Sequence, residues 1–393
     1  MMPSATPHII SPFDICMFAH NSLTNDGRSF KQAASLAAAG WRVALVGVTI
    51  GGEDLPAVET RDGYQIIRVK TRLLAKRLPG TWGKLLRLAL AVPRAALQLR
   101  RTRARVYQAN DFTGLLVVAL AGIWRRPVVY DSRELFFDRW PKGVHYPLKY
   151  PLYALRPLEG VLARRAAAVI TVSRPIAERM AQKLRIPQPA LVLNAVDIRQ
   201  TGTAHAIFPA DGRRWFVHTG SLLGGRHLAE LVAALAHLPP DVALALLGDG
   251  PLRPALEEQV RALGVNDRLL FVPPVPVMDI APTIAQAGCA AVLTTPHITN
   301  NYFALPNKFF EALAAGLPLV YSPIPEVERL AREYGLGAVC DPDDPRSIAG
   351  AVMQVLEPEA NARCRENALK AREILNWEQE EKKLTGLYRR MMG

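Results

Sequence analysis

The sequence is poor in cysteine: Cys16, Cys289, Cys340 and Cys364 are its only four, and no two have the spacing of a metal site or a redox motif. That argues against a disulfide framework and fits a reducing cytosol. Cys16 and Cys289 lie in apolar runs that read as strands, so buried thiols are expected there. No apolar stretch approaches the roughly 20 residues that span a bilayer. The N-terminus lacks the charged, apolar and small-residue zones of a secretory signal, so a cytoplasmic location is expected. A G-x-G-x-x-G fingerprint is missing after the first strand candidate, which weighs against a nicotinamide or flavin enzyme. Acidic charge is also short: 35 Asp and Glu against 48 Lys and Arg leave a net charge of +13. Such an excess suits nucleic acid, an anionic membrane or an anionic small molecule. No nucleic-acid-binding motif or aromatic stacking platform accompanies it, which disfavours the first.

Much of the excess lies between Arg72 and Arg105, with more from Arg133 to Arg165. Between Trp82 and Arg101, leucines alternate with Lys84, Arg87, Arg94 and Arg101, cations that fall near one helical stripe. A basic amphipathic helix of this kind suits anionic headgroups, and equally a solvated face. The run "LFFDRWPKGVHYPLKYPLY" adds aromatic and basic residues. Peripheral contact with the inner face of a membrane is therefore an expectation.

A chain of 393 residues is too long for one core. Both halves alternate short apolar runs with helical patterns, which predicts βα units and parallel sheets. In the first half the strand candidates are 13–18, 41–47, 64–69, 105–109, 127–131, 167–172 and 190–194; in the second they are 214–220, 242–248, 268–272, 289–294, 317–321 and 337–340. The aperiodic stretch 197–213 reads as a linker. The expected organisation is an α/β chain with two Rossmann-like doubly wound domains, 1–196 and 214–375, and a last amphipathic helix over 376–393 packing back on the N-terminal domain. Ligands of open parallel sheets bind beyond the carboxyl ends of the strands, so two such domains facing across a cleft would hold an active site there.

Several stretches suit a phosphate-bearing ligand. In "HTGSLLGGRHLAEL", Gly220, Ser221, Gly224 and Gly225 link a strand to a helix led by Arg226. Backbone N–H groups, the helix dipole and a bidentate guanidinium would meet an anion there. No G-K-[ST] follows, so this is not a Walker loop. "ALPNKFFEALAAGLPLV" opens a helix at Pro306 and Asn307, carries Lys308 and Glu311 three apart, and stops at Gly316. That spacing is either a local ion pair or a helix end facing phosphates and hydroxyls. Asp26 and Arg28 are either turn and helix-entry residues or ligand contacts. Asp249 in "LLGDGP" reads as structural.

These stretches, with "NDGRSFKQAASLAAAGWRV", "YDSRELF", "VITVS", "LNAVD" and the terminal "NWEQEEKKLTGLY", resemble in order the GT-B glycosyltransferases of family 4. The resemblance implies an enzyme of the hexosyltransferase type, retaining the anomeric configuration. It implies a UDP-, GDP- or dTDP-sugar donor on the C-terminal domain, an acceptor contacted by the N-terminal one, no cofactor and no obligatory metal. By position, Arg226 and Lys308 would meet the donor diphosphate. Glu311 matches the second glutamate of the family's E-x7-E motif and would bind the ribose hydroxyls. Gly220, Ser221, Gly225, Pro273, Asn301, Pro306 and Asn307 would complete the donor site, with base recognition near Pro273. Asp26, Arg28, Arg133 and Glu134 would lie on the acceptor side, for a glycan or lipid-linked acceptor in cell-surface polysaccharide or glycolipid synthesis.

The chain departs from the family pattern at three places. Phe303 stands where E-x7-E has its first glutamate; Asn300, Asn301 or a backbone N–H would take over that role, or the role is absent. Arg133 stands where the family often has a histidine, and an arginine stays charged. Ser221 stands where many members have a basic residue. Two other readings follow from these departures and from the architecture: a catalytically weak GT-B-like binding subunit, and a sugar-nucleotide epimerase. The latter would need acid/base carboxylates and histidines that the sequence does not gather.

Overall fold

The computed structural model describes residues 13–49, 55–70, 80–139, 153–200 and 202–393, with side chains from residue 90 onward in the helix Gly80–Arg101. Trp82, Lys84 and Arg87, and most of the aromatic-basic run 135–153, lie outside the described side chains. The chain forms two compact units, Met1–Val192 with Glu381–Gly393, and Leu193–Glu380.

The first unit contains β1 (Phe13–Phe18), β2 (Val43–Thr49), β3 (Val58–Arg61), β4 (Tyr64–Lys70), β5 (Ala104–Asn110), β6 (Val128–Ser132), β7 (Ala168–Thr171) and β8 (Ala190–Leu191). Their order is β3-β4-β2-β1-β5-β6-β7-β8, parallel throughout except that β3 runs antiparallel to β4. Continuous apolar runs become parallel strands because helices cover both faces of the sheet; every residue of β2 is buried. The edge strand β3 is absent from the strand candidates. It is half-exposed and lacks an apolar alternation, although the turn that makes it, Asp62–Gly63 with both φ positive, is a strong hairpin signal.

The second unit contains β9 (Arg214–Thr219), β10 (Val242–Leu247), β11 (Leu269–Val272), β12 (Cys289–Val292), β13 (Leu319–Tyr321) and β14 (Gly337–Val339). The order β11-β10-β9-β12-β13-β14 is that of a Rossmann sheet, all parallel. Alternate residues feed two cores. Trp215 and Val217 join Phe309, Phe310 and Leu313 on one face, while Phe216 joins Leu231, Val232 and Val352 on the other. The order reverses between β9 and β12, so the crevice at that switch point opens between their carboxyl ends.

Between the predicted domains, the described residues 197–200 and 202–213 form neither helix nor strand; the Thr203 N–H bonds Asp279 at 2.9 Å and His205 Nε2 lies 3.0 Å from the same carboxylate. The last helix, Trp377–Met392, buries Trp377, Leu384, Leu387 and Tyr388, and from Glu381 it belongs to the first unit. There the Tyr388 hydroxyl donates to Gln108 Oε1 at 2.5 Å. All four cysteines are buried and reduced. No helix among the described residues is long and apolar enough to cross a membrane.

Candidate active site

In the second unit, chain segments far apart in sequence meet at the β9–β12 switch point. The helix Asn307–Ala314 begins after Pro306, whose extended backbone (ψ 149°) turns the chain into the first turn, and it ends before Gly316 in the left-handed region (φ 67°). Phe309, Phe310, Ala312 and Leu313 bury one face. No side chain caps its N-terminus, and the first backbone N–H paired there is that of Phe309, with Pro306 O at 3.0 Å. Asn307 Oδ1 accepts from Asn194 Nδ2 at 2.8 Å, which joins the "LNAVD" and "PNK" stretches.

Lys308 points inward rather than to solvent and is only 9% exposed. Its Nζ is 3.3 Å from His218 Nε2 at the end of β9 and 3.4 Å from the Leu293 carbonyl just beyond β12. Burial, together with the positive charge of Arg226, lowers its pKa to about 7 against the pull of Glu311. One turn along, Glu311 Oε2 accepts from Thr219 Oγ1 at 2.5 Å. Burial also holds the Arg226 guanidinium somewhat below its ordinary range, with Glu311 opposing. Two cations and one carboxylate thus surround the strand ends.

The glycine turn makes room for this arrangement. Gly220 has φ 109°, and a Cβ built on it would lie 2.7 Å from Arg226 Nη1, so the guanidinium passes directly over the glycine. Gly225 has φ 79°, its carbonyl accepts from the Thr295 N–H at 3.1 Å, and the Cβ it lacks would lie 3.2 Å from Thr295 and 3.9 Å from Asn301 Nδ2. Asn301 therefore stands beside the glycine turn. Ser221 is exposed on that turn, and Pro273 is exposed just past β11. One expectation needs correcting: Arg226 does not lead a helix. His227 is left-handed (φ 51°), and the helix is the short Leu228–Ala233 followed by a 3-10 turn, so Arg226 belongs to the turn itself. Phe303 ends the helix Thr299–Phe303 with its ring edge-on to Tyr302 at 5.0 Å.

In the first unit the predicted acceptor-side residues enter a buried polar network. Asp26 caps the helix Gly27–Ala38, accepting from the Ser29 N–H at 3.1 Å, and also receives Asn21 at 2.8 Å and Arg133 Nη1 at 2.7 Å. Burial would raise its carboxyl, but Arg133 and these hydrogen bonds hold it below its usual value. Arg133 also bonds Asp111, at 3.1 Å through Nε. Burial opposes its charge, yet Asp111, Asp26 and Asp131 outweigh that and raise its pKa further, so it stays a cation. Asp111 itself is left-handed (φ 59°), a strained state for a non-glycine residue at the β5 carboxyl end. Glu134 pairs with Arg139 at 2.8 Å. Arg28 is a structural cation rather than an exposed ligand contact. It is buried, forked onto Asp131 at 2.8 and 2.9 Å, and bonded to the Val192 carbonyl at 2.8 Å.

Sequence reasoning passed over His218, Thr219 and Asn194. Thr219 and Asn194 carry no motif of their own. A histidine closing an apolar strand reads as a core residue until the fold brings a lysine against it. It also missed Asp343, which lies 3.3 Å from His227 Nδ1 and 3.4 Å from His297 Nε2, tying the glycine turn to the segment after β12.

Two family models match the chain: the glycosyl transferase 4-like domain over residues 29–195 and glycosyl transferases group 1 over residues 213–358. The 2-deoxystreptamine glucosyltransferase of Streptomyces kanamyceticus is 26% identical over 319 residues, 75% of this chain and 77% of that protein. A glycogen synthase of Mycobacterium tuberculosis is 26% identical over 294 residues, 72% and 69% of the two chains. The fold is similar to that of sucrose-phosphate synthase from Thermosynechococcus elongatus, with a TM-score of 0.76 at 19% identity over 96% of this chain and 99% of that one. It is also similar to Anabaena HepE, crystallised with UDP and glucose, with a TM-score of 0.70 at 18% identity over 95% and 99%.

Proposed function

Since the chain belongs to the GT-B glycosyltransferases and is a nucleotide-sugar-dependent enzyme of that group, we propose that it transfers a sugar with retention to a glycan or lipid-linked acceptor, with the donor diphosphate held at the β9–β12 switch point. The convergence of Arg226, Lys308 and the Thr219–Glu311 pair carries this reading. Arg226 grips the diphosphate bidentately, while Lys308 and the N–H groups at the start of the helix Asn307–Ala314 meet it from the other side. Glu311 receives the ribose hydroxyls. Gly220, Ser221 and Gly225 let the backbone approach, Asn301 faces the sugar, and the segment at Pro273 contacts the base.

As the bond between the anomeric carbon and the diphosphate oxygen breaks, negative charge builds on the leaving phosphate. Fixed donors aimed there stabilise the transition state, each by about 2.7–4 kcal/mol. The acceptor oxygen bonds the anomeric carbon on the face the phosphate leaves, and a phosphate oxygen takes the acceptor's proton. No protein base is required, so the cation Arg133 in place of a histidine is compatible with turnover; with Asp26 and Glu134 it contributes to the acceptor side. Phe303 offers the donor sugar an apolar contact instead of a carboxylate.

The acceptor class rests on the basic helix. In Gly80–Arg101, Ala91, Ala95 and Leu99 are buried while Arg94, Leu97 and Arg101 are exposed along one stripe. We take this stripe as a contact for anionic lipid, at which a lipid-linked acceptor or a cell-surface glycan intermediate is met.

A thermal-shift series with UDP-, GDP- and dTDP-sugars tests the donor site. A UDP-sugar is the first probe, because HepE was crystallised with UDP-glucose. One nucleotide sugar should stabilise the protein, and Lys308→Ala and Glu311→Gln should each weaken it roughly tenfold, as loss of one charged hydrogen bond would. Stabilisation that both variants retain in full would refute this assignment.

A further inference from the structure

We propose that His218 is a positioning residue that fixes the Lys308 amine in the donor site, and that this buried pair takes up one proton from solvent when a nucleotide sugar binds. The inference rests on the donor-site reading above. His218 closes β9 with no solvent exposure, and its Nε2 lies 3.3 Å from Lys308 Nζ, while the Leu293 carbonyl beyond β12 lies 3.4 Å from the same amine. An ammonium can only donate, so beside a protonated Lys308 the facing Nε2 accepts and the imidazole proton sits on Nδ1. The ring is therefore neutral. Burial first, then Lys308 and Arg226, keep it well below its ordinary pKa, with the Ala291 backbone opposing.

Charges of both signs surround the amine. Arg226 faces it from the glycine turn, Glu311 from its own helix and His218 from β9; the segment after β12 offers a carbonyl. Two cations against one carboxylate in a buried site is unfavourable, and the group that can relieve it is the lysine, whose pKa falls to about 7. A nucleotide-sugar diphosphate reverses the balance with negative charge. The amine then gains a proton from solvent and becomes an ammonium, with no other bond made or broken. His218 Nε2 accepts from the ammonium, and beside the neutral amine the same contact can run in either direction, so the nitrogen keeps its place through the change.

Isothermal titration of UDP-glucose, GDP-mannose and dTDP-glucose in phosphate and in Tris, at pH 6 and pH 8, counts the protons exchanged. A nucleotide sugar is the right probe because its diphosphate has no terminal monoester titrating near pH 6. The expected uptake for the sugar that binds is about one proton at pH 8 and little at pH 6. Lys308→Arg, with a cation that cannot lose its proton, should abolish it. His218→Leu should weaken binding roughly tenfold and move the uptake midpoint to lower pH, since the acceptor favouring the ammonium is gone. His218→Gln, which keeps an acceptor, should restore both. Binding with no uptake at pH 8 overturns the inference alone, as does a His218→Leu enzyme with unchanged affinity and midpoint. If no nucleotide sugar binds, the donor-site reading fails and this inference fails with it.

Discussion

Lys308 and Glu311 stand three residues apart on one helix, a spacing that by itself describes any surface ion pair. What sets them apart is where each ends: the amine on His218 and the Leu293 carbonyl, the carboxylate on the Thr219 hydroxyl. Motif spacing made the two residues legible, but their partners were not, because no local pattern links positions 218, 293 and 308. A residue-scale test away from this site concerns Glu159, which is buried and receives the Tyr130 hydroxyl at 2.7 Å. Burial raises its pKa from 4.5 to about 7. The folded state thus binds this proton more tightly than the unfolded one. Its contribution to stability is full below pH 4.5 and is lost as pH rises to about 7, a loss on the order of 3 kcal/mol. Urea unfolding of Glu159→Gln, which keeps the Tyr130 contact without titrating, should show a flatter pH dependence between pH 5 and 7 than the parent protein. An unchanged slope would assign the effect elsewhere.

At the scale of elements, the strand–turn–helix from β9 to Leu228–Ala233 shows how far a pattern reaches. Its glycines announced a turn suited to an anion. The helix begins later than the apolar periodicity suggests, because His227 takes a left-handed backbone, uncommon for a non-glycine residue, and breaks the run. At this turn Gly220 meets Gly248, which follows β10: a Cβ on Gly248 would lie 2.1 Å from the Gly220 carbonyl, whereas one on Gly220 meets only the end of the Arg226 side chain. Gly220→Ala should therefore fold, with a cost of about 1 kcal/mol from its positive φ, and lose donor binding by displacing the guanidinium. Gly248→Ala should destabilise by several times as much. Thermal melts paired with nucleotide-sugar titration separate the two, and equal effects on both measurements would contradict this division. β3 is the element the sequence hid, since a short exposed edge strand needs no apolar alternation.

For the molecule as a whole, the sequence carries a net charge of +13. Part of that charge lies on the exposed stripe Arg94, Leu97 and Arg101, which the proposed function assigns to anionic lipid. Co-sedimentation should show binding to vesicles containing phosphatidylglycerol at low salt, little binding to neutral phosphatidylcholine, and release as the Debye length shrinks toward about 8 Å at physiological salt. Arg94→Glu with Arg101→Glu should lower the bound fraction several-fold, whereas equal binding to neutral vesicles would remove the electrostatic contact. The sequence by itself determined the α/β character of both units. Runs such as "VALALLG" are apolar without alternation, and only a strand covered on both faces buries all of such a run. The glycine turn and the helix start at Pro306 left ion pair and ligand site both open, and the family resemblance named Arg226, Lys308 and Glu311 as a set. Only the tertiary structure decided their chemistry. The reversal of strand order between β9 and β12 brings His218, Arg226 and Leu293 to one lysine, and burial among them, which no linear spacing encodes, sets its charge.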